Sequence, residues 1–114
     1  MLTTFEVVAE PTRRKILDLL RDEPRLVGDL VDCLAMAQPA VSKHLKVLRD
    51  AGLVTVETTG PHRRYRLHAE PLRELEAWVA PYRRHWRGHL DDLSSHLDSM
   101  AKRERAQDVD GGER

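Results

Sequence analysis

Between Gln38 and Leu67 the hydrophobic period of this chain changes from that of a helix to that of a strand, and the change falls on a glycine. Val41, Leu45 and Leu48 recur at steps of four and three, the buried stripe of a helix that begins at Gln38-Pro39 and ends near Ala51-Gly52. Gly52 suits the left-handed residue that closes a helix. Leu53, Val54 and Val56 then stand among Thr and Glu up to Thr58, and after Gly60-Pro61 the run Arg64-Tyr65-Arg66-Leu67 reads as a returning strand. The turn Thr59-Gly60-Pro61-His62 is expected to be longer than the tight two-residue type and to leave a protruding tip.

Three shorter helices are expected upstream. Phe5, Val8 and Ala9 mark the first, closed by Glu10-Pro11 because the residue before a proline is pushed out of helical geometry. Pro11 opens the second, whose stripe of Ile16, Leu17, Leu19 and Leu20 stops before Asp22-Glu23-Pro24. Leu26, Leu30 and Leu34, with Val27 and Val31, predict a third helix of about nine residues. Ala35-Met36-Ala37 is left as its connection to the helix at Gln38. Two short helices joined by a three-residue turn and followed at once by a hairpin outline a winged helix-turn-helix, mainly α with a β-hairpin, in which the second helix lies in the DNA major groove.

If Val41, Leu45 and Leu48 face the core, Gln38, Ser42, Lys43, Lys46 and Arg49 project outward. Gln pairs bidentately with adenine, Lys reaches guanine or phosphate, and Ser reaches base or backbone. Base readers belong in the first turns, where Pro39 and Ala40 also sit, so Gln38, Ser42 and Lys43 are candidates for bases and Lys46 and Arg49 for phosphate. His62, Arg63, Arg64 and Arg66 cluster on the hairpin, and His44 and His62 are candidate donors to phosphate.

Charge supports that placement. The whole chain balances 19 Lys and Arg against 19 Asp and Glu, which excludes a uniformly basic nucleic-acid coat. Residues 38–67 nevertheless carry six basic side chains against two acidic ones, Asp50 and Glu57. A local excess of cations on the helix and hairpin is what contact with a phosphate backbone requires.

From Pro71 onward Leu72, Leu75, Val79, Tyr82, Trp86, Leu90, Leu93, Leu97 and Met100 step by 3-4-3-4-4-3-4-3. So long a seam implies a partner, and with Phe5 and Val8 it is the expected surface of a homodimer. Pro81 interrupts it, and a kink or two abutting helices are expected there. Beyond about Lys102 the periodicity is lost, so residues 1–101 are expected to form one DNA-binding and dimerisation domain and 102–114 a disordered tail.

Pro11-Thr12-Arg13-Arg14-Lys15-Ile16-Leu17-Asp18-Leu19-Leu20, the block from Gln38-Pro39-Ala40-Val41-Ser42-Lys43-His44-Leu45 through Lys46-Val47-Leu48-Arg49-Asp50-Ala51-Gly52-Leu53-Val54, and Arg63-Arg64-Tyr65-Arg66-Leu67 together resemble the ArsR family of bacterial winged-helix repressors. The match is close over residues 5–68 and looser over the terminal helices. The resemblance implies a homodimer that binds double-stranded, pseudo-palindromic operator DNA and represses transcription, in many members until an effector binds. One departure touches the helix at Gln38: the family often has Ser or Thr where Ala37 stands, and Ala cannot cap the first amides, a deficit of about 1 kcal/mol that Gln38 would offset in part.

The resemblance also directs attention to sensor sites. Arsenic and cadmium sensors of the family carry a Cys-x-Cys pair in the third helix, whereas Leu26–Leu34 holds only Cys33. A single thiol cannot complete thiolate coordination, and Cys33 is expected in or near the core as a small apolar residue. Zinc, nickel and cobalt sensors use Asp-x-His and His-x-x-Glu or His-x-x-His on the last helix. Here His85, His89 and His96 have suitable spacing, but Arg83 and Ser99 stand where the partner ligands belong, so no metal site is expected. Trp78, Tyr82 and Trp86 are expected in dimer packing rather than in a ligand pocket. No cofactor is called for, any effector is unknown, and no catalytic motif is recognisable. Two alternatives stay open: a metal- or small-molecule-responsive repressor of the same family, and a winged-helix interaction module without DNA binding. Apolar runs of four or five residues are too short to span a membrane, and a lone cysteine agrees with a reducing compartment, so a cytoplasmic protein is expected.

Overall fold

Thr3 begins the first helix by satisfying two of its otherwise unpaired amides. Its hydroxyl accepts from the Glu6 N–H while the Glu6 carboxylate accepts from the Thr3 N–H, a reciprocal capping box. In the computed structural model, which describes the backbone of residues 1–112 and the side chains of residues 1–103, this helix, α1, spans Thr4–Ala9. Glu10 leaves it with extended geometry and at the same time caps α2, Pro11–Asp22, accepting from the Arg13 N–H at 2.9 Å. Proline in the first turn costs α2 nothing, because that position has no intrahelical N–H bond to lose.

The ends of both helices are tied by arginines. Arg13 donates through Nε to the Val7 carbonyl at 2.7 Å, and Arg14 to the Val8 and Ala9 carbonyls at 2.7 and 3.0 Å. These are the last carbonyls of α1, left without amide partners and negative in the helix dipole. Arg25 does the same for α2 through the Leu19 carbonyl at 3.1 Å.

Arg25–Leu26 is a two-residue strand, β1, and α3 follows as Val27–Leu34. Leu26 is therefore not the first residue of the third helix, as its spacing to Leu30 predicts; it sits in the strand, opposite Arg64. A strand this short has no periodicity to read, and exists because β3 offers it an edge. Ala35 closes α3 in the left-handed region at φ 52°, and α4 runs Gln38–Asp50.

The end of α4 is a Schellman motif. Gly52, at φ 77°, donates to the Arg49 carbonyl and Leu53 to the Leu48 carbonyl, both at 2.9 Å. Leu48 and Leu53 are both fully buried, so the turn is fastened by apolar contact as well as by hydrogen bonds.

β2, Val54–Thr59, and β3, His62–Leu67, form an antiparallel hairpin in a three-stranded sheet of order β1-β3-β2. Thr59 pairs with His62, so the connection is Gly60-Pro61 alone, a tight two-residue loop rather than the longer turn expected. Gly60 supplies the positive φ, 60°, and the proline ring fixes the next residue's φ negative, the sign pattern of a type II′ turn.

Val7, Ile16, Leu17, Leu20, Leu30, Val41, Leu45, Leu48, Leu53, Val54 and Tyr65 form one core drawn from α1 through β3. Cys33 lies outside it, exposed on α3, which corrects the expectation of a core thiol. It falls beside Asp32 on the outer side of a helix whose inner side is set by Leu30.

After a single 3-10 turn at Glu70–Leu72, α5 runs Arg73–Gly112 with Pro81 inside it. Of the two outcomes expected at Pro81, a kink or two abutting helices, the second does not occur: one helix runs through it. The missing amide removes one bond of the ladder, and the ladder continues on either side. The chain divides into two compact units, Met1–Glu76 and Ala77–Arg114. In the second, Trp78 and Tyr82 rings lie 5.3 Å apart, and Trp86, Leu90, Leu93, Leu97 and Met100 are exposed along the helix. The expected disordered tail at 102–114 falls, from residue 104 on, outside the described side chains. Among the described residues no helix is long and apolar enough to cross a membrane.

Candidate nucleic-acid interface

Helix α4 is held by Val41, Leu45 and Leu48, none more than 1% exposed. With that stripe inward, a period of 3.6 turns Gln38, Pro39, Ser42, Lys43, Lys46 and Arg49 to solvent, and all six are exposed. Ala40 is half-buried at the flank. Ala37 stands at the N-cap without a side-chain hydrogen bond, as its methyl group requires.

His44 does not join that outward set. It is half-buried on the inner flank of α4, with Nδ1 3.8 Å from the Glu10 carboxylate at the start of α2. The Glu10 carboxyl is held below its ordinary range, chiefly by the Arg13 backbone N–H it accepts; desolvation opposes this, and the His44 charge, the Thr12 N–H and the Arg13 charge each lower it further.

The hairpin register divides the wing residues between two faces. Val54 pairs with Leu67, Val56 with Tyr65 and Thr58 with Arg63, and buried Tyr65 identifies this as the inner face. It is apolar over the core and turns polar toward the tip. Thr55, Glu57 and Thr59 pair with Arg66, Arg64 and His62 on the outer face. There the Glu57 carboxylate lies 3.5 Å from Arg66 and directly across from Arg64.

Arg63 therefore stands apart from Arg64 and Arg66. With Ser42, Leu45, Lys46, Arg49, Asp50 and Tyr65 it lines a groove of about 460 Å³ between α4 and the hairpin. Three cations and one carboxylate face one another across it. His62 and Arg64 line a different, smaller depression with Leu26, Glu57 and Thr59.

Sequence reasoning missed three roles. Arg13 and Arg14 fasten α1 to α2, which their place just after Glu10-Pro11, beside a helix end, could have indicated. His68, just past the second wing strand, lies with Nδ1 2.8 Å from the Gly52 carbonyl. The inward parity of Arg63 could have been counted from Tyr65, two residues away.

Of the apolar residues expected at a dimer seam, Tyr82, Trp86, Leu90, Leu93 and Leu97 are exposed, while Phe5, Val8, Leu72, Leu75 and Val79 are half-buried. Val8 and Leu72 pack in part against the core. His85, His89 and His96 are placed on α5, and among the described residues no three His, Cys, Asp or Glu side chains gather to hold a metal.

A three-stranded sheet with a helix-turn-helix packed behind it defines a winged helix-turn-helix. Residues 10–56 match the bacterial regulatory proteins of the arsR family. The chain is 32% identical over 79 residues to the transcriptional repressor SdpR of Bacillus subtilis, covering 69% of this chain and 88% of that protein. It superposes with a TM-score of 0.65 and 39% identity on a crystal structure of a possible transcriptional regulator for arsenical resistance, over 72% of this chain and 85% of the other. It also resembles, with a TM-score of 0.55, 30% identity and coverage of 67% and 70%, the homodimeric winged helix-turn-helix DNA-binding domain of a possible ArsR-family regulator from Mycobacterium bovis. The chain belongs to the ArsR family.

Proposed function

We propose that this protein is a homodimeric transcriptional repressor that binds double-stranded operator DNA, with α4 in the major groove and the hairpin beside it on the backbone. One observation carries the reading: the solvent face of α4 presents Gln38, Ser42, Lys43, Lys46 and Arg49 and shares a groove with Arg63 of the wing. Gln38, Ser42 and Lys43, in the first turns, are the base readers, while Lys46 and Arg49 hold the backbone. The exposed apolar seam of Trp86, Leu90, Leu93 and Leu97 pairs with a second copy. A two-fold dimer carries two such helices about one DNA turn apart, which makes the operator pseudo-palindromic. The protein acts without enzymatic chemistry, in the cytoplasm, where its DNA lies.

Gel-shift titration against a duplex selected from a randomised library tests this. The selected site should show two-fold symmetry, and its affinity should fall steeply with salt, by about 0.9 in log K per log salt for each phosphate engaged. Selection that returns no preferred sequence would overturn the reading.

A further inference from the structure

We propose that the groove between α4 and the hairpin is a site for a single DNA backbone phosphate, closed by Arg63 from the wing and by Lys46 and Arg49 from the helix, and that Glu57 keeps Arg64 and Arg66 out of the contact. The inference rests on the DNA-binding reading and sharpens it, dividing the basic residues of the hairpin into one that engages DNA together with the helix and two that do not.

Strand parity and charge both lead there. Arg63 lies on the same face of the hairpin as Tyr65 and Leu67, the face that covers the core, yet it is exposed and lines the groove beside α4. A cation in that position has the exposed flank of α4 for its neighbour. The groove it lines presents the hydroxyl of Ser42 and the charges of Lys46, Arg49 and Arg63, offset only by the Asp50 carboxylate, which leaves an excess of two positive charges. Its volume of about 460 Å³ leaves room for a phosphodiester with its attached sugars at the open side. A phosphate held from both helix and wing would fix the angle between them, and so set how deep the first turn of α4 enters the groove.

The outer face has the opposite character. Glu57 lies 3.5 Å from the Arg66 guanidinium and is the register partner of Arg64, so the one carboxylate of the hairpin stands on the face that carries both arginines. To reach a phosphate Arg66 must leave Glu57, and the negative charge of Glu57 on the same face offsets in part the attraction of either arginine to the phosphate. Arg63, opposite Thr58, has no carboxylate across from it.

The test uses the full chain and a mixed-sequence duplex of about 30 base pairs, with affinity measured from low to moderate salt. Arg63→Ala should lower the slope of log K against log salt by about 1 per protomer bound and weaken binding to all sequences alike. Arg64→Ala and Arg66→Ala should change the slope by less than half as much. Glu57→Gln should raise affinity and steepen the slope, because it frees both outer arginines. Thermal melts that match wild type confirm that the variants fold, and Arg63→Lys should restore most of the slope, since a point charge suffices for phosphate. An unchanged slope in Arg63→Ala, or equal effects of all three arginines, overturns the inference while leaving DNA binding intact. Failure of the wild-type chain to bind any duplex overturns the DNA-binding reading itself.

Discussion

The Nδ1 atom of His68 lies 2.8 Å from the carbonyl oxygen of Gly52, joining the residue after the second wing strand to the residue that closes α4. A carbonyl only accepts, so the proton is on Nδ1 in this contact. The neighbouring backbone bond, from the His68 N–H to the Leu53 carbonyl at 2.8 Å, makes the connection double. Helix and wing are thereby fastened at the end opposite the hairpin tip. His68→Ala should cost about 1 kcal/mol, and its effect should be local: amide exchange in Val54–Leu67 should accelerate more than exchange in α2. Equal acceleration throughout would mean that the bond does not single out the wing.

Gly52 carries the turn on which the whole arrangement depends. At φ 77° any residue with a Cβ is strained, although a methyl group there would meet only Pro71 Cγ at an ordinary 3.8 Å. Gly52→Ala should therefore destabilise by about 1–2 kcal/mol, through backbone strain and not through crowding. Thermal denaturation should show the midpoint falling by several degrees, whereas Gly28→Ala, in an open helical position, should be neutral or stabilising.

Glu10 makes stability depend on pH in a defined direction. Its carboxyl is depressed in the folded state, chiefly by the Arg13 N–H. A depressed carboxyl stabilises the fold above its unfolded pKa, and that contribution is lost as pH falls through the folded value. The stability difference between wild type and Glu10→Gln should shrink on the acid side of the ordinary carboxylate value, about 4.5. Melting curves of both proteins across the acid range check this; a difference that grows as pH falls below about 4.5 contradicts it.

Leu93 stands midway along the exposed apolar seam of α5 and is 47% exposed. In a two-fold dimer Leu93→Glu places a charge in the seam from each protomer, and the dimer dissociation constant should rise by about 100-fold or more. Sedimentation equilibrium measures it directly. Because Leu93 is not part of the Met1–Glu76 unit, the melting of that unit's core should change little.

Much of this architecture was legible because its signals are local. The stripes Ile16/Leu17/Leu20 and Val41/Leu45/Leu48, the proline at 11 and the glycine at 52 state where helices start, face and stop, and the change of period at Leu53 states where the wing begins. What was not legible depends on partners distant in sequence. β1 consists of two residues that are a strand only because Tyr65 and Arg64 pair with them. The exposure of Cys33 follows from where α3 is rotated by its packing, and the turn of His44 toward Glu10 from how α4 crosses the start of α2. The outward residues of α4 followed from its own period, but the split between Arg63 and its neighbours needed the hairpin register, since a shift of one residue would exchange the two faces.

The claim that α4 reads sequence is tested most directly by a competition measurement on one variant. Wild-type protein should prefer its selected duplex over a scrambled duplex of equal length by about a thousandfold or more at physiological salt. Lys43→Ala should cut that ratio by about tenfold or more while leaving the affinity for the scrambled duplex nearly unchanged, as removal of a base contact requires. A ratio near one for the wild type, or equal losses of Lys43→Ala on both duplexes, would contradict the account.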